Sequence, residues 1–208
     1  MRLASLLFLL LWPILSQESV RQIYPLQPEV FQDHPQLERI EIVKTDYDAL
    51  IKQAVDTHLP GMDYRLFKSL LFTESKLNPF ARSQAGALGL AQFMPDTWAE
   101  WAPKAGYAGK PATDPEAAIF TGAAYLAYLI DKWTSPRPEM DRLCLAMLSY
   151  NAGFKHALTA QKIAKGSVMY RDIVGSLAKV PGLSAIRVKD GQNYASKIYK
   201  CYVDEVIG

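Results

Sequence analysis

A helical stripe that runs into a carboxylate constrains this chain more than any other feature. In residues 64–73 the apolar side chains Leu66, Phe67, Leu70 and Leu71 recur at i, i+1, i+4 and i+5, one face of a 3.6-residue repeat. One further turn brings the same face to Glu74. The chain then breaks into Ser75-Lys76-Leu77-Asn78-Pro79-Phe80-Ala81-Arg82-Ser83, which has no helical period. Glu74 is therefore expected on the core side, at the C-terminal end of a helix. Burial disfavours its ionised form, and so does the negative end of the helix. Both effects raise its pKa, toward a carboxyl that stays protonated near neutrality and can act as a general acid. A glutamate at a helix end can equally turn to solvent or take a salt bridge, so the helix alone does not decide.

The next stretch, Gly86-Ala87-Leu88-Gly89-Leu90-Ala91-Gln92-Phe93-Met94-Pro95-Asp96-Thr97, adds binding chemistry. Two glycines three apart permit a tight turn and close approach of backbone to a ligand. Gln92 offers donors and acceptors of the kind that sugar hydroxyls and acetamides require. Taken singly, a glycine pair is usually a turn and a lone glutamine is usually surface.

Taken together, residues 74–97 resemble the signature of the soluble lytic transglycosylases, lysozyme-like enzymes that cleave peptidoglycan. The shared landmarks are Glu74-Ser75, Asn78-Pro79, Ala81 and Ser83, Gly86-Ala87, Gly89-Leu90, Gln92, Met94-Pro95 and Thr97, all in register. Ala91 departs from the pattern, standing where Met is common. A second block, Asp114-Pro115 with Ile119, Gly122, Tyr125-Leu126 and Leu129, resembles the family's next helix, and Tyr150-Asn151-Ala152-Gly153 matches a third. The fourth, Asp190-Gly191-Gln192-Asn193-Tyr194-Ala195, is a weaker match to Glu-Thr-x-x-Tyr-Val. The resemblance covers roughly residues 46–202.

The resemblance implies a single-acid mechanism. Glu74 would protonate the glycosidic oxygen between MurNAc and GlcNAc, and the substrate's acetamido oxygen would stabilise the cationic centre. Glu74, now ionised, would take the proton of the MurNAc C6 hydroxyl, whose oxygen closes a 1,6-anhydro ring. Ser83 would hydrogen-bond near the acid or the acetamido group, Gln92 and Met94 would line the sugar site, and Tyr150 would hold Glu74 or the substrate. Asn151 would brace the fold, and Tyr194 would face either groove or core. Asp190 would position substrate rather than attack it. Asp96, Asp114 and Asp141 are instead expected as helix N-caps. Of Trp98, Trp101 and Trp133, one is expected to reach the groove.

Composition narrows the alternatives. A formal net charge of +2 over 208 residues argues against a nucleic-acid partner bound by counterion release. His34, His58 and His156 lack metal-ligand spacing, so neither metal nor cofactor is expected. Arg2 followed by an apolar run over residues 3–15 looks like a signal peptide over residues 1–16, with an uncleaved anchor as the alternative. It places the protein in the periplasm or outside the cell. There a Cys144–Cys201 disulfide is expected to form, two buried thiols being the alternative.

Residues 17–44, with Pro25, Pro28 and Pro35, read as a linker or arm, and residues 45–208 as one catalytic domain. Helices are expected at 46–57, 64–74, 94–102, 115–133, 139–150, 154–165, 167–177 and 192–206. Only 40–43 and 186–188 suggest short extended pieces. The fold class is therefore mainly α, lysozyme-like by resemblance, with little or no β structure. Three functions compete: a lytic transglycosylase acting on peptidoglycan glycan strands, a water-using muramidase on the same scaffold, and a non-catalytic peptidoglycan-binding module. The small size also suits an enzyme that opens the wall locally for a secretion or conjugation complex.

Overall fold

The computed structural model describes residues 46–207. The expected signal segment, the arm and the extended piece at 40–43 lie outside them. Among the described residues eight α-helices follow one another: α1 (Asp48–His58), α2 (Tyr64–Ser75), α3 (Pro95–Lys104), α4 (Pro115–Lys132), α5 (Glu139–Ala152), α6 (Phe154–Ile163), α7 (Tyr170–Gly175) and α8 (Ala185–Ile207). A 3-10 turn, Leu177–Lys179, precedes α8. Among the described residues there is no strand, only isolated bridges pairing Leu88 with Arg82 and with Phe93.

Sequence determines where several helices begin. The Asp63 carboxylate accepts the Arg65 backbone N–H at 3.0 Å and starts α2. Asp114 does the same for α4 through Ala117 at 3.0 Å, with Pro115 supplying a fixed φ at the first position. Two other expected caps are corrected. Met94 and Pro138 precede α3 and α5, so Asp96 and Asp141 lie inside their first turns. Asp141 instead accepts the backbone N–H of Tyr170 and pins α7 to α5.

The α2 stripe sits at the centre. Leu66, Phe67, Leu70 and Leu71 are buried together with Ile119, Leu126 and Leu129 of α4, Leu145 and Leu148 of α5, and Ile198 of α8. Helix α8 packs along α2 and α5, and α4 lies against α1 and α5. Lys68, on α2 but almost wholly buried, bridges Asp48 of α1 at 3.0 Å and Glu205 of α8 at 2.7 Å. Gly122 of α4 marks a close approach to α2 and the loop that follows it. A Cβ there would stand 3.2 Å from the Ala91 Cβ and 3.3 Å from Phe67 Cζ.

Two expectations fail in α8 and one in the cysteines. The last helix begins at Ala185 rather than residue 192, so the piece at 186–188 is helical, not extended. Gly191 lies inside this helix, where packing uses it: a Cβ there would meet Leu177 Cδ1 at 3.2 Å and Leu148 Cδ1 at 3.4 Å. Close approach of neighbouring elements outweighs propensity. The bridge is also absent, because Cys144 and Cys201 are free, buried thiols. Cys201 turns toward α2, its Sγ 4.0 Å from Thr73 Oγ1. Cys144 lies on α5, where burial pushes its thiol pKa up to about 12.

Between α2 and α3 the chain folds into a compact loop. Lys76 and Leu77 both take left-handed backbone, φ 56° and 58°, turning the chain sharply after Glu74 and Ser75. Leu88 and Phe93 exchange backbone hydrogen bonds at 3.0 and 3.1 Å, and Gly89 N–H reaches Ala81 O at 3.0 Å. Gly89 takes φ +78°, and a Cβ on it would lie 1.9 Å from the Ala112 carbonyl oxygen. Its freedom therefore serves close approach to another loop of the protein. Gly86, at φ +93°, has open space around it. Gly86→Ala should cost about 1–2 kcal/mol, from backbone strain alone. Gly89→Ala should cost roughly 3 kcal/mol or more, since overlap with backbone is added. Urea unfolding of the two variants measures the difference.

Candidate active site

Glu74 occupies the last turn of α2, one residue before the helix ends. The residue is partly buried and its carboxyl is enclosed. The Tyr194 hydroxyl of α8 donates a hydrogen bond to Glu74 Oε1. Burial pushes the Glu74 pKa up to about 7, and the Tyr194 hydrogen bond opposes only part of that rise. Near neutrality the carboxyl is thus divided between its acid and its ionised form.

Two phenols surround this group. Tyr194 is buried, and burial lifts its pKa well above the ordinary value, with the neighbouring Glu74 charge adding to the effect. Tyr150 is raised for the same reasons in the same order. Both therefore remain O–H donors at any physiological pH. The Tyr150 hydroxyl donates to the Ala91 carbonyl at 3.0 Å, so it fastens the loop and makes no hydrogen bond to Glu74. Its ring joins a cluster with Phe93 at 6.1 Å and Tyr125 at 5.3 Å between centroids.

The loop residues take places that the sequence did not specify. Ser83 Oγ accepts the Ala87 N–H at 2.9 Å, while Ser83 N–H donates to Ala87 O at 3.0 Å. It closes a turn, and its own hydroxyl proton is not spent in that bond. Gln92 adopts left-handed backbone, φ 48°, and its Nε2 donates to Ala81 O at 3.1 Å and Gly89 O at 2.9 Å. With both amide protons committed to the loop, Oε1 is the atom left to meet a ligand. Met94 stands at the N-cap position of α3 and is 44% exposed.

Asp190 stands apart from this cluster. It is exposed and its carboxylate lies 4.0 Å from Lys197 Nζ. It sits one helical turn before Tyr194 on α8, hence on the same side of that helix. Among the tryptophans, Trp133 is buried with its indole N–H on Ser149 Oγ at 3.1 Å, and Trp101 is 8% exposed. Trp98 is partly exposed. With Phe93, Pro95 and Pro111 it lines an open apolar cleft of about 490 Å³, which does not include Glu74. Among the described residues no cluster could hold a metal ion.

The partner that sequence reading left open is Tyr194. Its spacing with Ile198 and Cys201 places it on the buried stripe of α8, but nothing in the order of residues says which of many buried groups it meets. Glu74 lies 120 residues away.

Comparisons with known proteins agree with this geometry. The transglycosylase SLT domain family matches residues 53–171, more than half of the chain. The chain is 33% identical over 150 residues to a membrane-bound lytic murein transglycosylase F of Desulfosudis oleivorans, covering 72% of this chain and 30% of that protein. It is 32% identical over 144 residues to a protein of the same description from a Shewanella species, covering 69% and 28%. The chain thus spans under a third of the length of these relatives. Its fold is similar to that of the 70 kDa soluble lytic transglycosylase of Escherichia coli. The TM-score is 0.59 at 22% identity, over 76% of this chain and 24% of that one. The chain belongs to the transglycosylase SLT domain family and has its lysozyme-like helical fold.

Proposed function

We propose that this protein is a peptidoglycan lytic transglycosylase that cleaves the MurNAc-β-1,4-GlcNAc bond and leaves 1,6-anhydroMurNAc ends. The observation that carries this reading is one enclosed carboxyl, Glu74, raised to about 7 with a phenol on one oxygen. Tyr194 fixes Oε1, which leaves Oε2 for the transferable proton. In the first step that proton passes to the glycosidic oxygen as the C1–O bond breaks, and the acetamido oxygen stabilises C1. In the second, Oε2 accepts the proton of the C6 hydroxyl while that oxygen bonds to C1. The proton given up is regained and no water enters. A pKa near 7 suits a group that must serve once as acid and once as base.

The other site residues have supporting roles. Gln92 Oε1 and Met94 line the sugar site, Ser83 offers its hydroxyl proton at the loop, and Tyr150 holds that loop through Ala91. Asp190 positions substrate from the exposed side of α8. The relatives described as membrane-bound murein transglycosylases support action on the wall from the periplasm. No described helix is long and apolar enough to cross a membrane. The finer role proposed is local opening of the wall for a secretion or conjugation complex.

Glu74→Gln keeps the side-chain shape but cannot give or take the proton. Sacculus degradation should fall to less than a few per cent of wild type with the circular dichroism unchanged. Retention of substantial turnover would remove Glu74 from the mechanism. In wild type the acid step requires the protonated form, so turnover should decline as pH rises through about 7.

The same variant reports on the cost of the site. A carboxyl whose folded pKa lies above its unfolded value binds the proton more tightly when folded. Its favourable contribution is complete below the unfolded pKa and is lost as pH rises through the folded one. Glu74→Gln should therefore unfold about 1–3 kcal/mol harder than wild type at pH 8, with no such advantage near pH 4. Denaturant midpoints at the two pH values test the sign.

A further inference from the structure

The open cleft beside α3 takes no part in the proton transfers, yet it is firmly built. Its walls come from three segments: Leu88 and Phe93 of the site loop, Pro95, Trp98 and Ala99 of α3, and residues 109–112 before α4. These segments hold one another in place. Trp98 Nε1 donates to Lys110 O at 2.9 Å, and the Phe93 and Trp98 rings lie 5.5 Å apart. Gly89 lets the site loop press on the Ala112 carbonyl. At about 490 Å³ the cleft has the size of a binding site.

The lining dictates the occupant. Among the described residues that line the cleft, only Trp98 and Lys110 carry polar side chains. The indole N–H is spent on the Lys110 carbonyl, and Lys110 Nζ lies 3.4 Å from Asp114 Oδ2. A saccharide seated here would bury hydroxyls that no side chain could bond, which is costly. Proline and apolar side chains meet no such penalty, and aromatic-lined grooves are common seats for Pro-x-x-Pro segments.

The chain carries one such segment. Pro25 and Pro28 are its only prolines three residues apart, and residues 22–28, Gln-Ile-Tyr-Pro-Leu-Gln-Pro, bear no charge. In a polyproline II helix, with three residues per turn, the two rings share one edge. The cleft is within reach. Extended chain from Pro28 to Asp46 can span about 60 Å. Helix α1 then rises only about 16 Å to His58. His58 meets Phe120 at 6.1 Å and Phe120 meets Tyr107 at 5.9 Å between ring centroids, and the Tyr107 carbonyl accepts the Lys110 N–H of the cleft wall at 3.1 Å. Tethering also gives the segment an effective concentration of roughly millimolar, an advantage that a free partner lacks.

We propose that residues 23–28 dock in this cleft with Pro25 and Pro28 against Trp98, and that the docked arm braces the loop carrying Gln92. Leu88 and Phe93, which line the cleft, exchange the backbone hydrogen bonds that close that loop, and Gln92 stands between them. The docking does not rest on the peptidoglycan reading, and its test needs no turnover.

A benzophenone side chain placed at Gln27 of the exported protein, followed by illumination and peptide mass mapping, locates the segment. The adduct should fall within residues 88–112 of the same chain. Pro25→Ser with Pro28→Ser, which leaves the helical domain untouched, should reduce it several-fold. Ala99→Arg should do the same, since it projects a long charged side chain from an exposed position into the cleft. In the proline variant, amide exchange in residues 88–93 should quicken several-fold. An adduct elsewhere on the chain, no adduct, or one that survives both variants would overturn the proposal, as would unchanged exchange. An adduct joining two chains would assign the cleft to a second copy. Absence of an adduct with a raised KM for glycan strands in Ala99→Arg would assign it to substrate, and either result also overturns the docked arm.

Discussion

The hydrogen bond from the Tyr194 hydroxyl to Glu74 is the contact on which the site depends. It joins the C-terminal turn of α2 to the middle of α8, 120 residues apart in the chain. An enclosed carboxylate without a partner would carry a large desolvation penalty. The phenol satisfies one oxygen in either protonation state and cannot neutralise the charge, because its own proton is held far above the neutral range. The balance leaves Glu74 near 7. A cationic partner in the same place would have pulled the pKa down and removed the acid.

The surrounding frame keeps that balance fixed. Lys68 ties α1, α2 and α8 together through Asp48 and Glu205 at the other end of the α2–α8 pairing. Gly122 brings α4 up to Phe67 and Ala91, and Tyr150 clamps Ala91 through its carbonyl. Gln92, next in sequence, is thereby held in a left-handed conformation with its amide protons on the loop. The departure from the family pattern at Ala91 is consistent with this packing, since its Cβ would stand only 3.2 Å from a Cβ on residue 122. Loop, helix and acid are positioned by the same few close approaches.

Much of this is legible in the order of residues, and the rest fails for stated reasons. The α2 stripe, the caps at Asp63 and Asp114 and the placing of Glu74 follow from periodicity and capping chemistry, which are local. The start of α8 is not legible, because residues 186–188 read as an extended piece and the helix through Gly191 depends on Leu177 and Leu148 packing against it. The pairing of Tyr194 with Glu74 is not legible either, being a contact between distant segments. A disulfide looked plausible from compartment and burial alone. Burial does not say which neighbour a thiol faces, and Cys201 faces Thr73.

In the proposed mechanism one carboxyl performs both proton transfers and the ring closes without water. Digestion of purified sacculi in H₂¹⁸O, followed by mass spectrometry of the released muropeptides, tests it most directly. The expected ends are lighter than reducing ends by one water and free of ¹⁸O. Reducing ends carrying ¹⁸O would contradict it and assign the protein to the hydrolytic muramidases.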